Sequence, residues 1–150
     1  MIKRFTKEFA MKIVENTLTS QIFSELRNTG PFMPYEEEDI IYALEHSLFN
    51  VVIYDEQKAV GIARLIGDNR LTFIIKDVVV LPRYQKMGVG DLLMKQLLKY
   101  IDANACANAY IGLMSTPHKE GFYEKYGFIR RPNEKYGAGM VMFYEGGKNK

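Results

Sequence analysis

The stretch at residues 77–100 constrains the fold more than any other part of the chain. It opens with a short β-branched apolar run at residues 77–81, which is typical of a buried strand. Pro82 ends this run because proline has no N–H group for a sheet ladder. After a polar loop and a glycine turn at residues 88–90, apolar side chains recur at helical spacing. The stretch therefore predicts a strand, a glycine loop and the N-terminus of an amphipathic helix.

A unit of this kind is suited to bind a phosphate group. The first N–H groups of a helix lack intrahelical acceptors, and the helix dipole places partial positive charge there. Glycine removes the Cβ atoms that would keep an anion away from these donors. The two common nucleotide fingerprints are absent, because Leu93 replaces the third glycine of the dinucleotide motif and no Gly-Lys-Ser/Thr sequence follows. A nucleotide-binding module is therefore the weaker interpretation.

Two motifs resemble those of a known family. The pattern Gln85-x-x-Gly88-x-Gly90 resembles the acetyl-CoA-binding motif of the GNAT superfamily of N-acetyltransferases. The segment GFYEKYGF at residues 121–128 resembles the F-Y-x-K-x-G-F signature of the same family. Alone, the first motif also fits an ordinary strand–turn–helix with incidental glycines. The two together, one helix and one strand apart, favour the family across residues 50–144.

The resemblance implies a single α/β (α+β) domain over residues 1–150. Its sheet is expected to be mixed and mostly antiparallel, flanked by helices, with a central parallel strand pair that splays around the cofactor. Residues 76–77 interrupt the third strand of a predicted antiparallel meander, which indicates a β-bulge. The pattern predicts strands at residues 12–16, 50–54, 59–66, 71–81, 110–114, 128–130 and 140–144. It predicts helices that begin near Thr19, residues 36–39, residues 88–91, and Ser115 or Thr116.

The resemblance implies acetyl-CoA as the cofactor and CoA as a product. Backbone groups of Val78, Val79 and Val80 are expected to pair with the pantetheine arm like an added strand. The pyrophosphate is expected to be held mainly by backbone N–H groups of the glycine loop. The residues implied there are Gln85, Lys86, Met87, Gly88, Val89, Gly90 and Asp91.

Tyr123 matches the tyrosine that, in the family, protonates the departing CoA thiolate. A phenol, with a pKa of about 10, is a chemically sensible acid for a thiolate. A core aromatic on a short helix is the structural alternative for Tyr123. The short helix also brings His118 near this region, where a surface role is favoured.

No general base carries over from the family, because Ile111 stands where some members have a glutamate and Thr116 where an asparagine is common. Asp77 is the predicted base, since it lies where the long strand would open toward the thioester. The alternative for Asp77 is a carboxylate that fixes the bulge through hydrogen bonds to backbone. The weaker candidates, acting through water, are Glu36, Glu37 and His46.

The composition of the chain limits the kinds of ligand and partner that it is expected to bind. One cysteine and two histidines argue against a metal site and an intrachain disulfide, and fit a reducing cytoplasm. The net charge of +2 is spread along the chain, which argues against nucleic acid, and no apolar run suggests a membrane span or secretory leader. The resemblance implies a homodimer through the last strand.

The sequence therefore predicts an N-acetyltransferase that moves an acetyl group from acetyl-CoA to a primary amine, of a small molecule or a protein, by direct attack. A non-catalytic CoA-binding regulatory or sensor module is the alternative. The acids at residues 36–39 favour a cationic acceptor, although acids at a helix N-terminus also stabilise the helix dipole. The acceptor itself is not specified by any motif.

Overall fold

The computed structural model describes residues 11–146, and the predictions made for residues 1–10 and 147–150 lie outside this range. The chain divides into two compact units, Met1–Leu113 and Met114–Lys150. The first unit contains the sheet and the longer helices. The second contains one short helix and connecting segments.

The first unit is built on a five-stranded sheet in the order β1-β2-β3-β4-β5. Antiparallel pairing joins β1 to β2, β2 to β3 and β3 to β4, while β4 and β5 run parallel. The meander and the parallel pair that the sequence predicts are both confirmed. The strands are β1 (Met11–Glu15), β2 (Phe49–Asp55), β3 (Lys58–Gly67), β4 (Thr72–Val80) and β5 (Tyr110–Gly112).

Three helices cover the two faces of this sheet. Helix α1 (Ser20–Arg27) begins at the predicted cap, where Thr19 Oγ1 accepts a hydrogen bond from the Ile22 N–H at 3.2 Å. Helix α2 (Glu37–Glu45) begins with the acids at residues 37–39, and helix α3 (Val89–Asn104) follows the glycine loop. Leu26 of α1 and Ile40 of α2 pack with Ile62 on one face in a buried apolar cluster. On the other face, α3 buries Val89, Leu93, Met94, Leu97 and Ile101.

The predicted bulge is present in β4. The register between β3 and β4 shifts between Ile62 and Arg64, and Asp77 has φ +55° in the left-handed region. Aspartate and asparagine adopt this region more readily than other residues with a side chain. The bulge re-aims the strand, so that Asp77 becomes buried, 8% exposed, in an otherwise apolar run.

The second unit differs from the prediction in three ways. Its helix α4 (Glu120–Glu124) begins later than predicted, because Ser115 Oγ donates to the Thr116 carbonyl and His118 has φ +72°. Residues 128–130 do not form a strand. Residues 140–144, on which the predicted homodimer depended, are not a strand either, and all five side chains are exposed. Without these strands, β5 is an edge of the described sheet rather than a central strand.

Within residues 11–146, no helix has both the length and the apolar composition required to span a bilayer.

Candidate active site

Strand β4 parts from β5 after the first three of its nine residues. The two strands pair only through Thr72, Phe73 and Ile74 with residues 110–112. Strand β4 then continues to Val80, paired with β3 on its other edge but, among the described residues, with no strand on this one. Unpaired N–H and C=O groups on such an edge are a template for an added strand. The predicted pantetheine contacts, Val78 to Val80, lie on this segment.

The glycine loop leads directly from this edge to helix α3. A 3-10 turn (Pro82–Tyr84) follows β4, and Lys86 and Gly88 then adopt left-handed φ values of +64° and +88°. Gly88 is the N-cap of α3 and provides no side-chain cap. The first bond along the helix runs from the Leu92 N–H to the Gly88 carbonyl at 3.1 Å. The N–H groups of Val89 and Gly90 precede it and have no intrahelical acceptor.

Two side chains fix this loop against the sheet. The Tyr84 hydroxyl donates to Asp55 Oδ2 at 2.6 Å, and Asp55 is only 8% exposed. Gln85 Nε2 donates to the Val80 carbonyl at 3.1 Å. Gln85 thus orients the loop through the end of β4, and the Val80 carbonyl already has a donor.

Helix α3 approaches strand β3 closely below the loop. A Cβ atom on Gly61 would lie 2.6 Å from Val89 Cγ1 and 3.3 Å from Leu93 Cδ1. Only glycine permits this approach, so Gly61 allows the N-terminus of α3 to pack directly on the sheet. The backbone donors at Gly88–Gly90 are therefore held by a rigid support.

The predicted base, Asp77, lies on β4 three residues beyond the last pair with β5. Its Oδ1 accepts from Arg27 Nη1 and its Oδ2 accepts from Arg64 Nε at 2.8 Å. Arg64 Nη1 also donates to Ser47 Oγ at 3.2 Å. Asp77 therefore links α1, β3 and β4 through side-chain ion pairs, rather than through the backbone hydrogen bonds expected for a carboxylate that fixes a bulge.

The predicted acid, Tyr123, lies on α4 in the second unit. Its ring packs edge-on against Phe122 and Phe128, at centroid distances of 5.1 and 6.3 Å. Burial of the phenol raises the pKa of Tyr123 above its usual value, because the phenolate is less well solvated.

The weaker base candidates have structural partners. Glu37 Oε1 accepts from Ser20 Oγ at 3.2 Å, which ties α2 to α1. His46 lies 2.8 Å from the Tyr42 carbonyl through Nδ1 and stacks on the Tyr42 ring at 4.0 Å. Glu36 is the exposed N-cap residue of α2. His118 is exposed, in agreement with the favoured surface role.

Sequence reasoning missed the two arginines that hold Asp77 and the tyrosine that anchors the loop. A lone acid in an apolar strand indicates that a buried cation or donor must accompany it. The sequence does not indicate which arginines accompany Asp77. Arg27, for example, is 50 residues away along the chain, at the end of helix α1. Tyr84 occupies a loop position where a surface aromatic is equally compatible with the sequence.

The residues fit the cofactor that the motifs imply. A helix N-terminus without a side-chain cap, a glycine at positive φ and an unpaired strand edge occur in one continuous segment. These are the donors and the open backbone that a diphosphate and an amide-containing arm require. Within residues 11–146, no group of three or more His, Cys, Asp or Glu side chains is arranged to bind a metal ion.

The fold and the segment from β4 to α3 agree with one family of proteins. The family model described as an acetyltransferase (GNAT) domain matches residues 31–144, and the chain belongs to this family. Transfer of an acetyl group from acetyl-CoA to an amine is the general reaction of the family.

Similar proteins agree with this assignment. A solved structure from meticillin-resistant Staphylococcus aureus, a protein of unknown function described as "Probable Acetyltransferase", has a TM-score of 0.81 at 30% identity. The match covers 89% of this chain and 99% of that one. The chain is 36% identical over 93 residues, 61% of its length, to GCN5-related N-acetyltransferase 1, chloroplastic, from Arabidopsis thaliana.

A third relative matches over more of the chain. Serotonin N-acetyltransferase 2, chloroplastic, from Oryza sativa is 33% identical over 132 residues, or 83% of this chain. The chain spans 46% of the Arabidopsis protein and 64% of the rice protein. It spans about half the length of the curated relatives that it matches first.

Proposed function

We propose that this chain is an acetyl-CoA-dependent N-acetyltransferase that acetylates a primary amine by direct attack. The observation that carries the proposal is the continuous segment in which β4 leaves β5 after Ile74 and leads to the uncapped N-terminus of α3 at Gly88. The pantetheine arm is assigned to the free edge of β4, at Val78 and Val79. The diphosphate is assigned to the backbone donors of residues 88–90, with Lys86 supplying positive charge.

The predicted roles of Gln85 and Asp91 are refined by their contacts. Gln85 donates to Val80 and so supports the loop from within. Asp91 pairs with Lys95 at 2.8 Å in the first turn of α3, which leaves its backbone as the group assigned to the cofactor. Met87 contributes its main chain to the turn.

When bound, acetyl-CoA supplies an activated acyl group with a thiolate leaving group. The chain's own contribution is to hold this group in one orientation and to provide a proton for the thiolate. Tyr123 is the assigned proton donor on the strength of the sequence motif. Asp77 remains the predicted base, although both its oxygens already accept from guanidinium groups.

The family match crosses the boundary between the two units, which supports the expectation of one domain over residues 1–150. The homodimer and the cytoplasmic location remain predictions. The single cysteine is compatible with a reducing compartment, whereas the two plant relatives named above are chloroplastic proteins.

Release of free CoA thiol with a panel of primary amines tests the proposal. We expect thiol release that depends on both acetyl-CoA and an amine. Binding of acetyl-CoA with no amine-dependent release across the panel would contradict the enzyme and favour the regulatory module.

A further inference from the structure

A small pocket lies between the end of helix α1 and the loop that leads to α2. Its volume is about 200 Å³, below the range of about 300–1,000 Å³ that is typical for drug-sized ligands. We call it the Arg27 pocket. It is lined by Phe23, Ser24, Arg27, Asn28, Phe32, Met33, Pro34, Tyr35 and Ile40.

Arg27 is the charged group of this pocket. It is only 9% exposed, and its guanidinium lies 4.9, 5.0 and 5.5 Å from the ring centroids of Phe23, Phe32 and Tyr35. Nη1 donates to Asp77, and Nη2 donates to the Met33 carbonyl at 2.7 Å. The guanidinium fork has further N–H donors beyond these two, and charge-assisted hydrogen bonds from such donors suit a carboxylate or phosphate oxygen.

The charges around this pocket do not balance. Two guanidinium groups, those of Arg27 and Arg64, share the one carboxylate of Asp77. No lining residue of the Arg27 pocket is acidic. The buried cluster therefore carries an excess positive charge in surroundings where an unpaired charge is costly. An anion that enters the pocket would compensate this charge.

The same cluster joins the pocket to the strand assigned to the cofactor. Asp77 lies on β4 just beyond the point where β5 separates from it. Through Asp77, the position of Arg27 is set by the strand segment on which the thioester arm is assigned. An acceptor held at Arg27 is thus held beside that segment.

We propose that the Arg27 pocket is the acceptor subsite and that it takes a compact primary amine bearing an anionic group. The anion pairs with Arg27, and the apolar body packs against the rings of Phe32 and Tyr35. This inference rests on the proposed acetyltransferase function and names the acceptor class for it. In the reaction, the amine nitrogen bonds to the acetyl carbon, the C–S bond breaks, the amine loses one proton and the CoA thiolate gains one.

This acceptor class differs from the cationic one that the acids at residues 36–39 favoured. Those acids do not line the Arg27 pocket. Residues 37–39 form the first turn of α2, where they stabilise the helix dipole. A polyamine would find no carboxylate among the residues that line this pocket.

The test compares amines that differ only in the anionic group. Alanine, leucine and phenylalanine are each paired with their decarboxylated amines, and phosphoethanolamine is paired with ethanolamine. We expect kcat/KM to be at least about tenfold higher for the anionic member, as a charge-assisted hydrogen bond would provide. The carboxylate and phosphate arms show which anion the pocket prefers. Equal rates within every pair, or a preference for spermidine, would overturn the inference.

Calorimetry with the same amines, with and without CoA, tests the pocket independently of turnover. Selective binding of the anionic members supports the inference, even if no amine is acetylated and the proposed activity fails. Efficient acetylation without selective binding of the anionic amines overturns the inference but is consistent with the proposed acetyltransferase function.

Single substitutions test whether the preference for anionic amines arises in the Arg27 pocket. Arg27→Lys retains a positive charge but loses the fork, and Tyr35→Ala removes a wall of the pocket without touching Asp77. Both are expected to raise KM for the anionic amine at least about tenfold, and Tyr35→Ala is expected to leave acetyl-CoA affinity unchanged. Tyr42→Ala, at an exposed tyrosine outside the pocket, is the control. Should Tyr35→Ala and Tyr42→Ala behave alike, the pocket is not the acceptor subsite.

Discussion

Arg64 and Asp77 lie on neighbouring strands at a β-bulge, where Arg64 Nε donates to Asp77 Oδ2 at 2.8 Å. Asp77 accepts from Arg27 through its other oxygen, and the Asp77 side chain is 2% exposed. One buried carboxylate thus holds a helix and two strands at the place where the sheet opens. The geometry of the site depends on this contact.

Replacement of Asp77 should destabilise the fold. Asp77→Asn keeps a residue that tolerates positive φ but leaves two guanidinium groups without their carboxylate. We expect a loss of about 3–5 kcal/mol in the free energy of unfolding, measured by urea denaturation. Lys95→Gln, which breaks the exposed pair with Asp91, should cost less than about 1 kcal/mol. Equal losses would contradict the structural role of Asp77.

The base role of Asp77 has a separate test in the folded fraction of the same variant. If Asp77 accepts the amine proton, kcat should fall while KM for the amine changes little. If Asp77 only positions Arg27, KM for the amine should rise while kcat changes little. The split between kcat and KM therefore distinguishes a catalytic residue from a positioning residue.

Tyr123→Phe should lower kcat by about 10²–10⁴, the usual contribution of a general acid, with acetyl-CoA affinity unchanged. Tyr126→Phe, three residues along the chain, is the matched control and should retain activity. The measurement is steady-state thiol release together with calorimetric binding. Normal turnover in Tyr123→Phe would remove Tyr123 from the mechanism.

The Tyr123 phenol should titrate above its usual pKa of 10.0, because burial disfavours the phenolate. Since the folded pKa is raised, the stability linked to this proton is present below about pH 10 and is lost as the pH rises through the folded pKa. Tyrosinate absorbance of the wild type minus that of Tyr123→Phe isolates the group. A midpoint at or below 10 would be inconsistent with the burial seen here.

Tyr84→Phe should weaken both the fold and cofactor binding. The Tyr84 hydroxyl donates to the buried Asp55 at 2.6 Å and anchors the turn before the glycine loop. Loss of a hydrogen bond to a charged group costs about 1.5–3 kcal/mol. We expect a loss of this size in urea denaturation and a lower affinity for acetyl-CoA. An unchanged affinity would show that the loop does not need this anchor.

Asp68 should make the stability of the fold fall at acid pH. Its Oδ1 accepts from the N–H groups of Arg70, Leu71 and Thr72 at 2.8–3.0 Å, and these bonds lower the pKa of Asp68. With a lowered folded pKa, the stabilisation is present above about pH 4 and is lost as the pH falls through the folded pKa. Asp68→Ala should lower Tm at pH 7 but much less at pH 2. A Tm difference that is the same at both pH values would contradict this.

The sequence was sufficient to predict the segment from β4 to α3. Pro82 and Gly88 each act through the backbone, so their effects can be predicted from the local sequence without the tertiary fold. The bulge at Asp77 could also be predicted locally, because a charged residue interrupts an apolar run. These local signals coincide with the positions where the structure opens the sheet.

The features that could not be predicted from the sequence depend on contacts between distant parts of the chain. The packing of α1 against the sheet decides which cations pair with Asp77. The hydrophobic periodicity of the sequence does not predict these partners. The apolar residues 140–144 have the composition of a strand, yet a strand requires a partner as well as propensity. In the described residues, this segment pairs with no strand and stays exposed.

Calorimetric titration with acetyl-CoA tests the central claim most directly. The wild type and Gly137→Ala, where a Cβ meets nothing within 4 Å, should bind acetyl-CoA equally. Gly88→Val should bind at least about tenfold more weakly, because valine disfavours φ +88° and covers the helix donors. Absence of binding in the wild type, or unchanged affinity in folded Gly88→Val, would contradict the account.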